Sequence, residues 1–165
     1  MGEWINADGL RVLLGTTEAE VSAVGEYGAA DPGSTHLVQL DLNPEVLDAV
    51  GKKVHWAVRL PGANGQTMYI KKAEIHVEEA FAGATFTLDI GLDEEDGTVI
   101  DADGIDAGVA TADLTAGAVV ECDGALVNTR VAAATTATLL TTTVAGEVPT
   151  AGKAWLKVWY YTVNE

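Results

Sequence analysis

The chain has 165 residues, 48% of them hydrophobic, enough for one folded domain with a sizeable core. Its net charge is −16, from 25 acidic against 9 basic residues, and no Lys or Arg falls between Ala73 and Thr129 while 14 acids do. Such a surface repels phosphate backbones, no apolar run reaches the length of a membrane span, and a single cysteine, Cys122, excludes both an internal disulfide and a cysteine-built zinc site.

Residues 1–34 read as an N-terminal arm. They carry Trp4, Ile5, Leu10, Val12 and Leu13, and then a Gly/Ala-rich run in which neither helical nor strand periodicity persists. Thr17 to Val24 has room for one or two helical turns. Apolar side chains on such an arm need a surface, either their own domain or a neighbouring subunit.

Residues 35–165 read as a β-rich domain. His36, Val38, Leu40 and Leu42 alternate with polar neighbours and predict a strand. Asn43 is placed to cap a short helix over Pro44 to Val50. Val54, Trp56, Val58 and Leu60 predict a second strand, ended by Pro61-Gly62. The segment Met68 to Leu92 organises the rest: Tyr69, Ala73, Ile75 and Val77 share one parity. Beyond Phe81-Ala82-Gly83, Phe86, Leu88, Ile90 and Leu92 share another. This reads as an antiparallel hairpin with one buried face.

Further along, the spacing predicts a turn at Asp93 to Gly97, a brief helix within Ile105 to Leu114, and strands at Ala118 to Cys122, Ala125 to Val131 and Thr135 to Val144. The closing strand, Lys153 to Val163, is apolar on both sides. Ala154, Leu156, Val158 and Tyr160 form one face, and Trp155, Trp159 and Tyr161 the other, so the second face is either core or interface. About eight strands with Gly/Pro/Asp turns make the class all-β, a two-sheet antiparallel β-sandwich, jelly-roll-like, with an extended N-terminal arm.

Chemistry finds little purchase. Asp93, Glu95, Asp101 and Asp103 are the weak candidates for a hard-cation site such as calcium, but the EF-hand pattern fails. Placing Gly97 or Gly104 at its sixth position puts Leu92 or Val99 where the first Asp belongs. His36, His55 and His76 share no metal spacing, and Cys122 reads as a small core residue. No nucleophile motif or phosphate-binding loop occurs, so no enzyme activity and no cofactor are expected.

Two stretches carry a resemblance. EWINADGLRVLLGTTEAE with the later GEYG, and AFAGATFTLDIGLDEEDGTVIDADGIDAGV with the closing TAGKAWLKVWYY, resemble virion structural proteins of tailed bacteriophages, of the capsid decoration (cement) family. The resemblance implies a β-sandwich on the capsid surface of the virion, made in the bacterial host cytoplasm. It implies a homo-oligomer, with a trimer favoured, bound to the major capsid protein. Partner contacts then fall to Trp4, Ile5, Leu10, Val12 and Leu13 of the arm and to Trp155, Trp159 and Tyr161. The alternative is a head-fibre or tail-associated module that binds carbohydrate or a receptor through those aromatics.

Overall fold

The computed structural model describes residues 2–5, 11–14, 35–62, 66–82, 85–132 and 134–164. Near its start, β1 (Gly2–Ile5) and β2 (Arg11–Leu14) pair antiparallel as a separate two-stranded ribbon that the sequence pattern does not announce. The expected helical turns after Thr17 lie outside the described residues. The body consists of β3 (His36–Leu42), β4 (Lys53–Leu60), β5 (Gln66–Ala82), β6 (Phe86–Glu94), β7 (Val99–Ala110), β8 (Val119–Glu121), β9 (Thr129–Arg130), β10 (Thr138–Gly146) and β11 (Ala151–Asn164).

These strands form two antiparallel sheets, ordered β4-β10-β6-β7 and β3-β11-β5-β8, with β9 also pairing β5. Counting β8 and β9 as one interrupted strand, the chain changes sheet at every step except β6 to β7. The pairs β3·β11, β4·β10, β5·β8/β9 and β6·β7 are those of a long antiparallel ribbon rolled until its first strand meets its last. The result is a jelly-roll-like sandwich, as the strand count leads one to expect.

The expected hairpin over Met68 to Leu92 is not formed. β5 and β6 belong to opposite sheets and turn their apolar faces toward each other. Period-two alternation reports that a face is buried, and it is silent on whether the next strand covers it or pairs beside it. The parity also shifts within β5. Trp159 faces Lys72 but Tyr160 faces Ile70, so Lys71 and Lys72 form a bulge. Met68 and Ile70 point inward before it, Ala73, Ile75 and Val77 after it, and Tyr69, expected inside, sits half-buried on the outer face.

Two expected helices are also corrected. At Asn43 the capping contacts exist: its side-chain oxygen accepts from the amides of Glu45 (3.0 Å) and Val46 (3.1 Å). Only one turn follows, because Gly51 donates to the Val144 carbonyl at 2.7 Å and draws the chain back to the sheet. Within Ile105 to Leu114, β7 runs on to Ala110 and a 3-10 turn covers only Thr111–Asp113. A bulge at Gly108 (φ +69°) puts Ile105 and Val109 both inside at a spacing that imitates a helix. Likewise Ala125 to Val131 is mostly turn, held by Asn128 at φ 58°, with β9 its only extended part.

The core is continuous between the sheets. Met68, Ile70, Ile75, Phe86, Leu88, Ile90, Leu92, Leu140 and Leu156 are all sealed from solvent. Each such aliphatic or aromatic side chain contributes about 1.5–3 kcal/mol by burial.

Candidate binding surface

β11 is an interior strand of its sheet, flanked by β3 and β5, so its side chains alternate between the core and the outer face. Ala154, Leu156, Val158 and Tyr160 are buried, while Lys153, Trp155, Lys157, Trp159 and Tyr161 form a half-buried stripe outside. The choice between core and interface for the three aromatics therefore falls against the core. Neighbouring strands widen the stripe. Trp155 lies between Asp41 and His76, Lys157 between Gln39 and Glu74, and Trp159 between Leu37 and Lys72. Tyr161 stacks on Tyr69 with centroids 4.9 Å apart and planes 14° from parallel. Leu37 (50% exposed) and Val119 (52%) add aliphatic area on strands to either side.

The stripe is held rigid by its polar neighbours. The Trp155 indole N–H donates to Glu78 Oε1 at 2.6 Å, and Tyr69 donates its hydroxyl proton to Asn128, whose carbonyl and side-chain oxygens lie at 2.7 and 2.8 Å. Lys153 lies over the Trp155 ring (5.2 Å to its centroid) and Lys72 over Trp159 (6.0 Å). Lys153 also pairs with Glu78 at 2.8 Å, and Lys72 with Glu74 at 2.5 Å. Hydrogen bonds from Lys72 and then His76 hold the Glu74 carboxyl below its ordinary range, and Lys153 followed by Trp155 does the same for Glu78. In the exposed state such pairs add little stability, but charges already neutralised in place are cheaper to cover than isolated ones.

The arm residues are placed less fully. Trp4, Ile5, Val12 and Leu13 fall on the β1–β2 ribbon, with Trp4 opposite Val12 and Glu3 opposite Leu13. Leu10 lies outside the described residues. Among the described residues the ribbon pairs with no strand of the body.

The acidic candidates are not brought together. Asp93, 2% exposed, accepts two hydrogen bonds from Lys53 (3.1 and 3.0 Å) and lies 2.9 Å from His55. Glu95 pairs with Arg59. Asp101 accepts from the Asp103 amide at 3.4 Å in an Asx-type turn. Among the described residues no group of three or more His, Cys, Asp or Glu converges as metal ligands would. Glu94, from the same acidic run, does structural work instead. One of its oxygens accepts from the amides of Thr135 (2.8 Å) and Thr136 (2.9 Å) and from both hydroxyls, and these bonds lower its pKa.

Cys122 is buried, and desolvation followed by the neighbouring Asp106 carboxylate pushes its thiol far above the ordinary value, leaving it unreactive. Asp106 is raised in turn, by desolvation first, with the Cys122 hydrogen bond opposing and Asp123 and Asp89 reinforcing. The folded state therefore keeps this proton longer than the unfolded chain, and stability falls as pH rises from the ordinary value of 3.8 through the folded one. Asp106→Asn is expected to raise the unfolding midpoint at neutral pH. Urea melts should show that gain vanishing once the pH is below the ordinary Asp value.

Fold and surface together define the class: a jelly-roll-like sandwich with a solvent-facing aromatic stripe and, among the described residues, no cluster of metal-ligand side chains. No protein-family model matches the chain, and no curated protein matches it in sequence. Its structure is similar to a chain in the capsid of Ralstonia phage GP4, with a TM-score of 0.55 and 20% identity over 81% of this chain and 88% of that one. A chain of the cyanophage Pam1 capsid asymmetric unit aligns over 94% of this chain and 96% of that one, with a TM-score of 0.49 and 12% identity. With the GP4 chain, what is shared at this identity is the fold.

Proposed function

We propose that this protein is a non-enzymatic virion structural protein of a tailed bacteriophage, a capsid decoration or cement protein that binds the major capsid protein and stabilises its shell. The observation that carries the reading is the outer face of β11. An interior strand with Trp155, Trp159 and Tyr161 turned outward, among ion pairs that are already closed, suits coverage by another protein. The fold shared with a chain of the GP4 capsid supports the same reading. Many copies on a symmetric lattice turn a modest contact into firm attachment. The arm supplies the second contact: Trp4, Ile5, Leu10, Val12 and Leu13 are anchor types, and an isolated two-stranded ribbon is marginal in water until it docks. The copies act as a homo-oligomer, three-fold in the order the resemblance implies.

Deleting residues 1–16 is expected to abolish co-sedimentation with capsid shells while leaving the thermal unfolding of the sandwich in place. Undiminished co-sedimentation would remove the arm from the mechanism. The outward aromatics also favour a second reading, stacking on sugars by a head-fibre or tail-associated module. The lysines over both indoles weigh against it, since a sugar would have to displace them. Glycan-array binding that disappears in Trp159→Ala would establish that reading, and an array with no binding would end it.

A further inference from the structure

The open edges of the two sheets are not alike. β4 carries Lys53, His55 and Arg59 and has a register irregularity against β10. β7 is bulged three times against β6 and bears Asp101, Asp103 and Asp106. β8 and β9 are short, at 3 and 2 residues. These are the usual ways in which an edge is protected from pairing with another chain. β3 is the least protected of these edges, with one acid, Asp41, and one histidine, His36, as its only ionisable residues. All 7 of its residues pair with β11 without a shift, and it contains no Lys, Arg, Pro or Gly. Leu37 is half exposed on it, and among the described residues it has a neighbour on one side only.

We propose that β3 is a homotypic seam: two copies of the protein pair β3 to β3, antiparallel, about a two-fold axis at Gln39, and their β3-containing sheets become one. In this register His36 faces Leu42, Leu37 faces Asp41, Val38 faces Leu40 and Gln39 faces itself. Inward residues thus meet inward ones and outward residues meet outward ones, the condition for two half-buried strands to join. The one carboxylate on the strand, Asp41, meets Leu37 and not another acid, which matters for a chain of net charge −16.

Among the described residues four buried side-chain atoms lack a hydrogen-bond partner, His36 Nε2 and Asp41 Oδ1 on β3 and the Thr138 and Thr141 hydroxyls on β10. Across the seam the diagonal neighbours of Asp41 are Gln39 and Thr35 of the second copy, an amide and a hydroxyl able to donate. The contact is isologous, and it needs neither the arm nor a coat protein.

Cysteine cross-linking of the full chain tests it, because Cys122 is buried and does not compete. Gln39→Cys places two thiols at the axis, within reach of a disulfide, and mild oxidation is expected to give a covalent dimer. Leu37→Cys and Asp41→Cys should each cross-link poorly alone, at least about tenfold more slowly, and readily when mixed, since they sit four residues apart along the strand but face each other across the seam. Sedimentation of the unsubstituted chain should show a concentration-dependent pairing of its solution species, whether that species is one chain or three, weakened by Gln39→Lys or by Gln39→Glu and restored when these two variants are mixed. A species of unchanging mass at every concentration, a Gln39→Cys protein that does not cross-link, or equal cross-linking at all three positions would overturn the seam. Capsid co-sedimentation is a separate measurement, so the two ideas fail independently.

Discussion

Phe86→Ala is expected to lower the unfolding free energy by about 4 kcal/mol, measured by guanidinium denaturation, without changing the strand content of the folded protein. Phe86 opens β6 and is 1% exposed, with its ring edge-on to Phe81 near the end of β5, centroids 5.8 Å apart and planes at 69°. The two rings meet where the chain crosses from one sheet to the other, so they close that end of the sandwich. The backbone at Phe86 is clamped as well, since its amide donates to Thr111 Oγ1 and its carbonyl accepts from the same hydroxyl, both at 2.8 Å. Truncation leaves a cavity that this clamp prevents from collapsing, which places the cost in the upper part of the usual range. A double-mutant cycle with Phe81→Ala should return a coupling of about 1 kcal/mol, the part that belongs to the ring pair. No coupling would mean that the two rings do not share the sheet-to-sheet crossing.

Gly91→Ala is expected to destabilise by about 3 kcal/mol, although it adds one methyl group to a position with an ordinary backbone angle. A Cβ there would lie 2.2 Å from the Asp101 carbonyl oxygen and 2.3 Å from the backbone of Ala102. These atoms are main chain of β7 and cannot swing aside. They crowd Gly91 because β7 bulges over it: Ile90 faces Asp106 while Leu92 faces Asp101. The bulge leans on the following loop, where Leu126 donates to the Gly104 carbonyl at 2.7 Å and Gly124 to that of Ile105 at 3.0 Å. Pushing β7 away from Gly91 therefore disturbs the link between the two sheets. Amide exchange in β7 and around Leu126 should speed up together. A change confined to residue 91 would refute the coupling.

Strands with simple alternation could be read from the sequence. β3 and β4 appear where His36, Val38, Leu40, Leu42 and Val54, Trp56, Val58, Leu60 place them, with the expected faces inward. The unreadable parts are those set by distant partners. The Lys71–Lys72 bulge that turned Tyr69 outward exists to keep β5 in step with β11, and the helix-like spacing of Ile105 and Val109 comes from a bulge against β6. Sheet membership is hidden for the same reason, since no local signal tells β6 to leave the sheet of β5. At the surface, Trp155, Trp159 and Tyr161 were identifiable as a second apolar face. Their orientation and the contributions of Leu37, Lys72, Tyr69 and Val119 appear only once β11 lies between β3 and β5. The acidic run looked like a possible ion cage because the cations that answer it, Lys53 and Arg59, sit on β4, far away in the chain.

Because β11 is wedged between β3 and β5, β3 has no neighbour among the described strands, and β5 has only the short β8 and β9, until the ribosome has passed Asn164. Closure of this sheet consequently waits for β11, and a nascent chain stopped before Ala151 holds a β3 with nowhere to settle. Such a product is a substrate for proteases, not a shortened but serviceable protein.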